Sequence, residues 1–276
     1  MLSKTLRRPV LALALLLAGS SATLADAVPV DLELVLAVDV SLSMDPDEQR
    51  LQRDGYVEAL KDAEVIAAIR ANGLGRIGLV YLEWAGTGNH KVTVPWSLVD
   101  GAATADTFSE RLAQAPIMRA QRTSITGALK IAEGLFETSG FKGKRRVIDV
   151  SGDGPNNDGT PVAAMRDALV AKGITINGLP IMIKAATGWF DLENLDQYYE
   201  ECVIGGFASF SITVREKSEF ARAIKRKLLL EIAEGPGLPL VRIQATAGPP
   251  ALREPVDCLI GEKRWQQYMG GRRGTL

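Results

Sequence analysis

The sequence has few of the residues on which many catalytic and metal sites depend. It contains one histidine, His90, and two cysteines, Cys202 and Cys258, among 276 residues. A Ser-His-Asp triad would have to use that single histidine, which lies in a predicted hairpin tip, and no G-x-S-x-G motif accompanies it. The cysteines are not in a C-x-x-C spacing, which argues against a zinc or thioredoxin-like motif. In an oxidising compartment we expect a Cys202–Cys258 disulfide, with two unpaired thiols as the alternative.

The sequence also has no excess of charge of either sign. Its 32 basic residues are balanced by 33 acidic ones, for a net charge of -1. General nucleic-acid-binding domains carry a basic excess, so this class of protein is not expected.

Long apolar runs are missing except near the amino terminus. Lys4, Arg7 and Arg8 precede an apolar segment at 10–18, and small residues with an A-x-A arrangement follow up to Ala27. This layout predicts a cleaved signal peptide at 1–27, because the run is too short to span a bilayer. A membrane anchor or a buried first helix is the alternative. We therefore expect a periplasmic or secreted mature chain without a membrane span.

Strand-like and helix-like segments alternate along the rest of the chain. Such alternation predicts an α/β fold of the Rossmann-like doubly wound kind, with a mostly parallel sheet and helices on both faces. A hairpin spanning 76–96 predicts one antiparallel edge strand. The Gly/Pro-rich segment 235–239 marks the end of a domain at 28–235, followed by a Pro/Gly-rich tail at 236–276 with one possible strand. The predicted strands are 31–39, 76–84, 91–96, 145–151, 174–182 and 208–214, and the predicted helices are 45–70, 104–115, 124–138, 161–172, 192–203 and 217–233.

The segment with the most chemical information follows the first predicted strand. Asp39, Ser41 and Ser43 form a D-x-S-x-S pattern, whose alternation directs the three side chains the same way if the chain stays extended. Ligands of open α/β sheets bind beyond the carboxyl ends of the strands. Carboxylate and hydroxyl oxygens suit Mg²⁺, Mn²⁺ or Ca²⁺ better than zinc or copper.

Two later segments are expected to reach the same edge of the sheet. Thr123 opens a helix in a T-x-x-x-G-A-L motif, and Asp153 follows a strand in Ser-Gly-Asp-Gly. With the first segment, these motifs resemble the metal-ion-dependent adhesion site of von Willebrand factor A-type (vWA) domains over about residues 31–233. The pattern also resembles an uncharacterised secreted bacterial branch of that family. The third motif departs from the family's usual Thr-Asp-Gly by an extra glycine, so Asn156 or Asp158 is an alternative ligand there.

The resemblance implies one divalent ion, Mg²⁺, Mn²⁺ or Ca²⁺, held by Asp39, Ser41, Ser43, Thr123 and Asp153. A carboxylate from an unknown protein partner would complete the ion's coordination shell. We therefore expect a metal-dependent binding module and not an enzyme. The alternatives are a metal-assisted hydrolase at the same cluster and a metal-free structural domain whose serines and threonine only cap helices.

Four aromatic residues lie near predicted loops or strand ends. Core or edge packing is the default expectation for Trp84, Trp96, Trp189 and Phe190. If the neighbouring pair Trp189 and Phe190 is exposed near the metal loops, it is expected to contact a partner.

Overall fold

A five-stranded sheet forms the centre of the protein. The computed structural model describes residues 26–186, 188–233 and 253–273. The strands are β1 (Val28–Asp39), β2 (Ile77–Trp84), β3 (His90–Val99), β4 (Phe141–Gly152) and β5 (Ile174–Pro180). They lie in the order β3-β2-β1-β4-β5, and all neighbours are parallel except β3, which pairs antiparallel with β2. The predicted sheet with one antiparallel edge strand is confirmed.

Helices cover both faces of this sheet. They are α1 (Pro46–Lys61), α2 (Ala63–Ala71), α3 (Ala102–Gln114), α4 (Ile125–Glu137), α5 (Val162–Ala171), α6 (Leu195–Tyr198), α7 (Phe220–Ile232) and α8 (Ile260–Arg273). The prediction of one helix over 45–70 was wrong at Asp62. This residue is extended, and its carboxylate accepts a hydrogen bond from the Glu64 amide at 2.8 Å, so it begins a second helix as an N-cap.

The central strand β1 is buried on both faces. Leu32, Leu34 and Leu36 belong to a core cluster shared with α1, α2, α3 and α7. The alternate residues Val35 and Ala37 belong to a second cluster shared with α4, α5 and α6. Burial on both faces explains why residues 34–38 are all apolar. Parallel pairing brings the carboxyl ends of β1 and β4 to one edge of the sheet.

The predicted strand at 208–214 was also wrong, for a reason found in β5. The segment runs beside β5 but makes only two isolated parallel bridges, at Ser211 and Val214. The ladder is interrupted at Pro180, since proline has no amide hydrogen to donate to the facing carbonyl. Bonds on either side of the gap remain, including the Val214 amide to the Pro180 carbonyl at 3.0 Å.

Residues 253–273 pack against the domain, with Val256, Cys258 and Ile260 against its core. The predicted Cys202–Cys258 disulfide is present, with the two Cα atoms 5.5 Å apart. It precedes α8, a helix that the sequence reading did not predict within the tail. The predicted signal peptide up to residue 25 and the possible strand in the tail lie outside the described residues. Within the described ranges, no helix is both long and apolar enough to cross a membrane.

Candidate metal site

The first loop of the site is held between β1 and α1. Asp39 is the last residue of β1 and is fully buried, and its Oδ1 accepts a hydrogen bond from the Ser41 amide at 2.7 Å. The hydroxyls of Ser41 and Ser43 are 2.7 Å apart. Asp45 then caps α1 in a capping box, which it shares with Glu48. The loop is therefore fixed at both ends.

The third loop meets the first because β1 and β4 are neighbours. Val38 pairs with Ser151, so both strands end at the same level. Asp153 follows β4, and its Oδ1 accepts a hydrogen bond from the Ser43 hydroxyl at 2.7 Å. A continuous chain of hydrogen bonds therefore joins Asp39 to Asp153 through the two serines.

The second loop is tied to both of the others by backbone contacts. The Leu42 amide donates to the Ala120 carbonyl at 3.0 Å. The Thr123 amide donates a hydrogen bond to the Asn157 side-chain oxygen at 3.0 Å. The Thr123 carbonyl accepts a hydrogen bond from the Asn157 amide at 2.8 Å. As a result, Thr123 lines one cleft with Ser41, Ser43 and Asp153. The structure brings four of the five predicted residues to this cleft, and the fifth, Asp39, is buried and contacts Ser41.

The site places two carboxyl groups close together at the buried side of an open cleft. Burial, and then the nearby charge of Asp153, raise the pKa of Asp39 well above its ordinary value. Burial raises the pKa of Asp153 to about 6, against the lowering effect of the Ser43 hydroxyl and the Lys184 ammonium. Asp39 Oδ2 is buried and has no hydrogen-bond partner among the described residues. Two close carboxyl groups with raised pKa values, one of them with an unpartnered oxygen, fit a bound cation whose charge would favour their ionised form.

The extra glycine in the third loop makes room for Asp39. A Cβ atom on Gly152 would lie 2.9 Å from Asp39 Oδ2 and 3.1 Å from the Tyr199 hydroxyl. Any larger residue would therefore displace the carboxylate from this corner. The sequence showed the departure from the usual family motif but not its steric purpose.

The two alternative ligands in this loop are engaged elsewhere. The Asn156 side chain accepts from the Thr126 amide at 3.1 Å and donates to Glu262 at 2.7 Å. Asp158 pairs with Arg122 at 3.0 Å and accepts from the Thr87 amide at 2.7 Å. Both residues hold the loops together, which leaves Asp153 as the carboxylate of the third loop in the cleft.

The donor set is rich in hydroxyls. Across the described part of the chain, no group of three or more His, Cys, Asp or Glu residues is placed to hold a metal ion. Here two carboxylates are combined with the hydroxyls of Ser41, Ser43 and Thr123. These are hard oxygen donors, so the residues present fit a hard divalent cation.

Aromatic side chains form the other wall of the same cleft, which has a volume of about 550 Å³. We call the cavity the aromatic cleft. Its aromatic wall is formed by Trp189, Phe190, Trp265 and Tyr268. Of the pair Trp189 and Phe190, Trp189 is exposed and borders the metal loops, as the expectation of a partner contact requires, whereas Phe190 is half-buried. The sequence reading missed Trp265 and Tyr268, since they belong to α8, where glycines and basic residues dilute any apolar pattern.

The sequence matches the model of one protein family. Residues 29–236 match the family model described as "Protein of unknown function (DUF1194)". The chain belongs to this family. No curated protein matches the sequence.

Solved structures show the vWA-like fold. Proximal thread matrix protein 1 from the mussel byssus has 18% identity and a TM-score of 0.53 over 75% of this chain and 49% of that chain. A second structure of it, described as having a "zinc occupied MIDAS motif", has 16% identity, a TM-score of 0.50 and the same coverage. A von Willebrand factor type A protein from Catenulispora acidiphila has 14% identity and a TM-score of 0.53 over 74% of this chain and 43% of that chain. This chain therefore spans about half the length of these proteins or less.

Proposed function

We propose that this vWA-like domain binds a divalent cation and uses it to capture a protein partner through an acidic side chain. The observation that carries the proposal is the hydrogen-bonded row from Asp39 to Asp153, with one unpartnered anionic oxygen at its buried end. A resident Mg²⁺ or Mn²⁺ would offer an open coordination position to a carboxylate. The mussel protein with zinc at its motif supports a metal at this place in the fold.

The arrangement favours binding over catalysis. Activation of a water molecule needs a general base near the metal. The carboxylates of Asp39 and Asp153 are assigned to the cation. The nearby Glu48 pairs with Lys184 and accepts the Asp45 amide, and His90 lies exposed at the start of the edge strand β3. We therefore propose a binding module and not an enzyme.

We further propose a periplasmic or secreted location. The Cys202–Cys258 disulfide is compatible with an oxidising compartment. The cleft would then be accessible to a partner in the cell envelope or outside the cell.

The test combines a metal titration with a pull-down. Wild-type protein, Asp39→Asn and the control Asp106→Asn, which alters an exposed aspartate of α3, are titrated with Mn²⁺ by calorimetry. Asparagine can still accept the Ser41 amide, so Asp39→Asn is expected to fold and to lose Mn²⁺ binding. Immobilised wild type should then retain an envelope partner in Mn²⁺ and release it in EDTA. Capture that is insensitive to EDTA would refute the mechanism.

A further inference from the structure

The rings of the aromatic wall form an ordered cluster beside the metal residues. The ring centroid of Phe190 lies 5.7 Å from that of Trp265 and 5.4 Å from that of Tyr268, and Trp265 and Tyr268 are 5.8 Å apart. The Arg122 guanidinium lies over the Trp265 ring, 3.8 Å from its centroid. These contacts hold the rings in place before any ligand arrives.

Two large apolar side chains are exposed beside the metal residues. Leu42, between the two serines of the first loop, is 48% exposed, and Trp189 is 59% exposed. Both line the cleft that contains Ser43 and Asp153. Exposed apolar groups gathered at a polar site mark interaction surfaces, and tryptophan is enriched among residues that dominate binding energy.

Helix α8 is docked so closely that the cleft is preformed. A Cβ atom on Gly261 would lie 2.1 Å from the Asn156 carbonyl oxygen, so only glycine permits this approach. Glu262 accepts a hydrogen bond from the Asn156 side chain, and the disulfide at Cys258 ties the segment to the domain. The aromatic wall therefore rests on the same loop that supplies Asp153.

A strained residue connects the cleft to the metal loops. Arg122 has a φ of 73°, which is unfavourable for a residue with a side chain, and it directly precedes Thr123. Its guanidinium contacts Asn157 and pairs with Asp158 at 3.0 Å while it stacks on Trp265. Its charge is therefore already engaged by Asp158, so it offers little attraction to another carboxylate. The cleft favours an apolar group over a second carboxylate.

We infer that the partner segment carries an acidic side chain next to an aromatic or large aliphatic one. This inference rests on the proposed function, in which the acidic group completes the cation site. The neighbouring side chain enters the aromatic cleft, between Trp189 and the rings of α8. A cleft of about 550 Å³ lies within the range of sites that enclose a compact ligand group.

The test uses synthetic peptides with a central aspartate and a neighbour varied among Phe, Leu, Ser and Lys. Binding is measured in Mn²⁺ and in EDTA with wild type, Trp189→Ala, Trp265→Ala and the control Phe207→Ala, which removes an 81% exposed aromatic outside the cleft lining. We expect wild type to prefer the Asp-Phe and Asp-Leu peptides. Trp189→Ala should weaken these about tenfold and leave the Asp-Ser peptide unchanged.

The outcomes separate this inference from the function on which it rests. The inference is overturned, and the proposed function stands, if wild type binds every aspartate peptide in a metal-dependent way without preference for the neighbouring residue. The same holds if the preference survives in both tryptophan variants. Failure of wild type to bind Mn²⁺ would overturn both. Self-association in Mn²⁺ that Trp189→Ala abolishes, without peptide binding, would assign the cleft to a second copy of the chain and overturn the partner chemistry stated here.

Discussion

Substitution of Gly261 by alanine should loosen α8 and thereby dismantle the aromatic cleft. The new Cβ atom would lie 2.1 Å from the carbonyl oxygen of Asn156 and 2.8 Å from its carbonyl carbon. Both contacts are with backbone, so a side-chain rotation cannot relieve them. The helix must move away, and the hydrogen bond between Asn156 and Glu262, 2.7 Å long, is lost or lengthened.

The magnitude follows from the contacts that α8 would lose. A hydrogen bond to a charged group contributes about 1.5–3 kcal/mol. The stacking of Arg122 on Trp265 contributes about 0.5–2 kcal/mol. Alanine in place of glycine favours the helix itself by about 1 kcal/mol. The balance is a loss on the order of 2 kcal/mol in the docking of α8, which corresponds to about a thirtyfold increase in its open population.

Hydrogen exchange of the α8 amides measures this opening directly. The matched control is Gly270→Ala in the same helix, where a Cβ atom would meet nothing within 4 Å. The control should exchange as slowly as wild type or more slowly. In peptide binding, Gly261→Ala should lose the preference for an aromatic neighbour and keep Mn²⁺ binding. If the two alanine variants exchange at the same rate, the close approach of Gly261 to Asn156 does not hold α8, and the reasoning fails.

Three further predictions concern stability. Mn²⁺ at a hundredfold excess over its dissociation constant should stabilise wild type by about 2.7 kcal/mol and Asp39→Asn not at all, as read from thermal unfolding. Burial, and then the nearby charge of Asp149, raise the pKa of Glu231 to about 7 from 4.5. The folded state therefore keeps a proton that the unfolded chain has lost, and this group should lower stability by up to about 3 kcal/mol as pH rises from 4.5 to 7; Glu231→Gln should reduce the slope in urea unfolding, and the slope that remains comes from other buried carboxyl groups with raised pKa values, such as Asp153. Reduction of Cys202–Cys258, which are separated by 56 positions, should lower the free energy of unfolding by about 4 kcal/mol in the chain-entropy model, as measured with and without dithiothreitol.

Each of these predictions has a result that contradicts it. Equal stabilisation of wild type and Asp39→Asn by Mn²⁺ would show that the cation binds at another site. The variant Asp106→Asn controls for a general effect of lost charge. An unchanged pH slope in Glu231→Gln would show that other groups titrate in that window. A Cys202→Ser/Cys258→Ser variant as stable as the oxidised protein would show that the disulfide adds no constraint.

Local patterns in the sequence were sufficient for the sheet and for the core of the site. The apolar run of β1 and the period of the helices indicated the layers, because side chains repeat in space as the backbone does. The spacing of Asp39, Ser41 and Ser43 indicated the site, since neighbouring parallel strands end at one edge. The prediction of one helix missed the cap at Asp62, because apolar residues continue on both sides of it. The buried positions step from Leu60 to Val65 and Ile69, out of phase with one continuous helix.

Only the tertiary structure decided the features that depend on register and on distant contacts. Pro180 interrupts the ladder to 208–214 because its nitrogen faces that segment, and the register of β5 sets which atoms face it. The docking of Gly261 on Asn156 and the stacking of Arg122 on Trp265 join residues more than a hundred positions apart. Such contacts leave no periodic trace, because the packing of the whole chain, and not the neighbouring sequence, brings their atoms together.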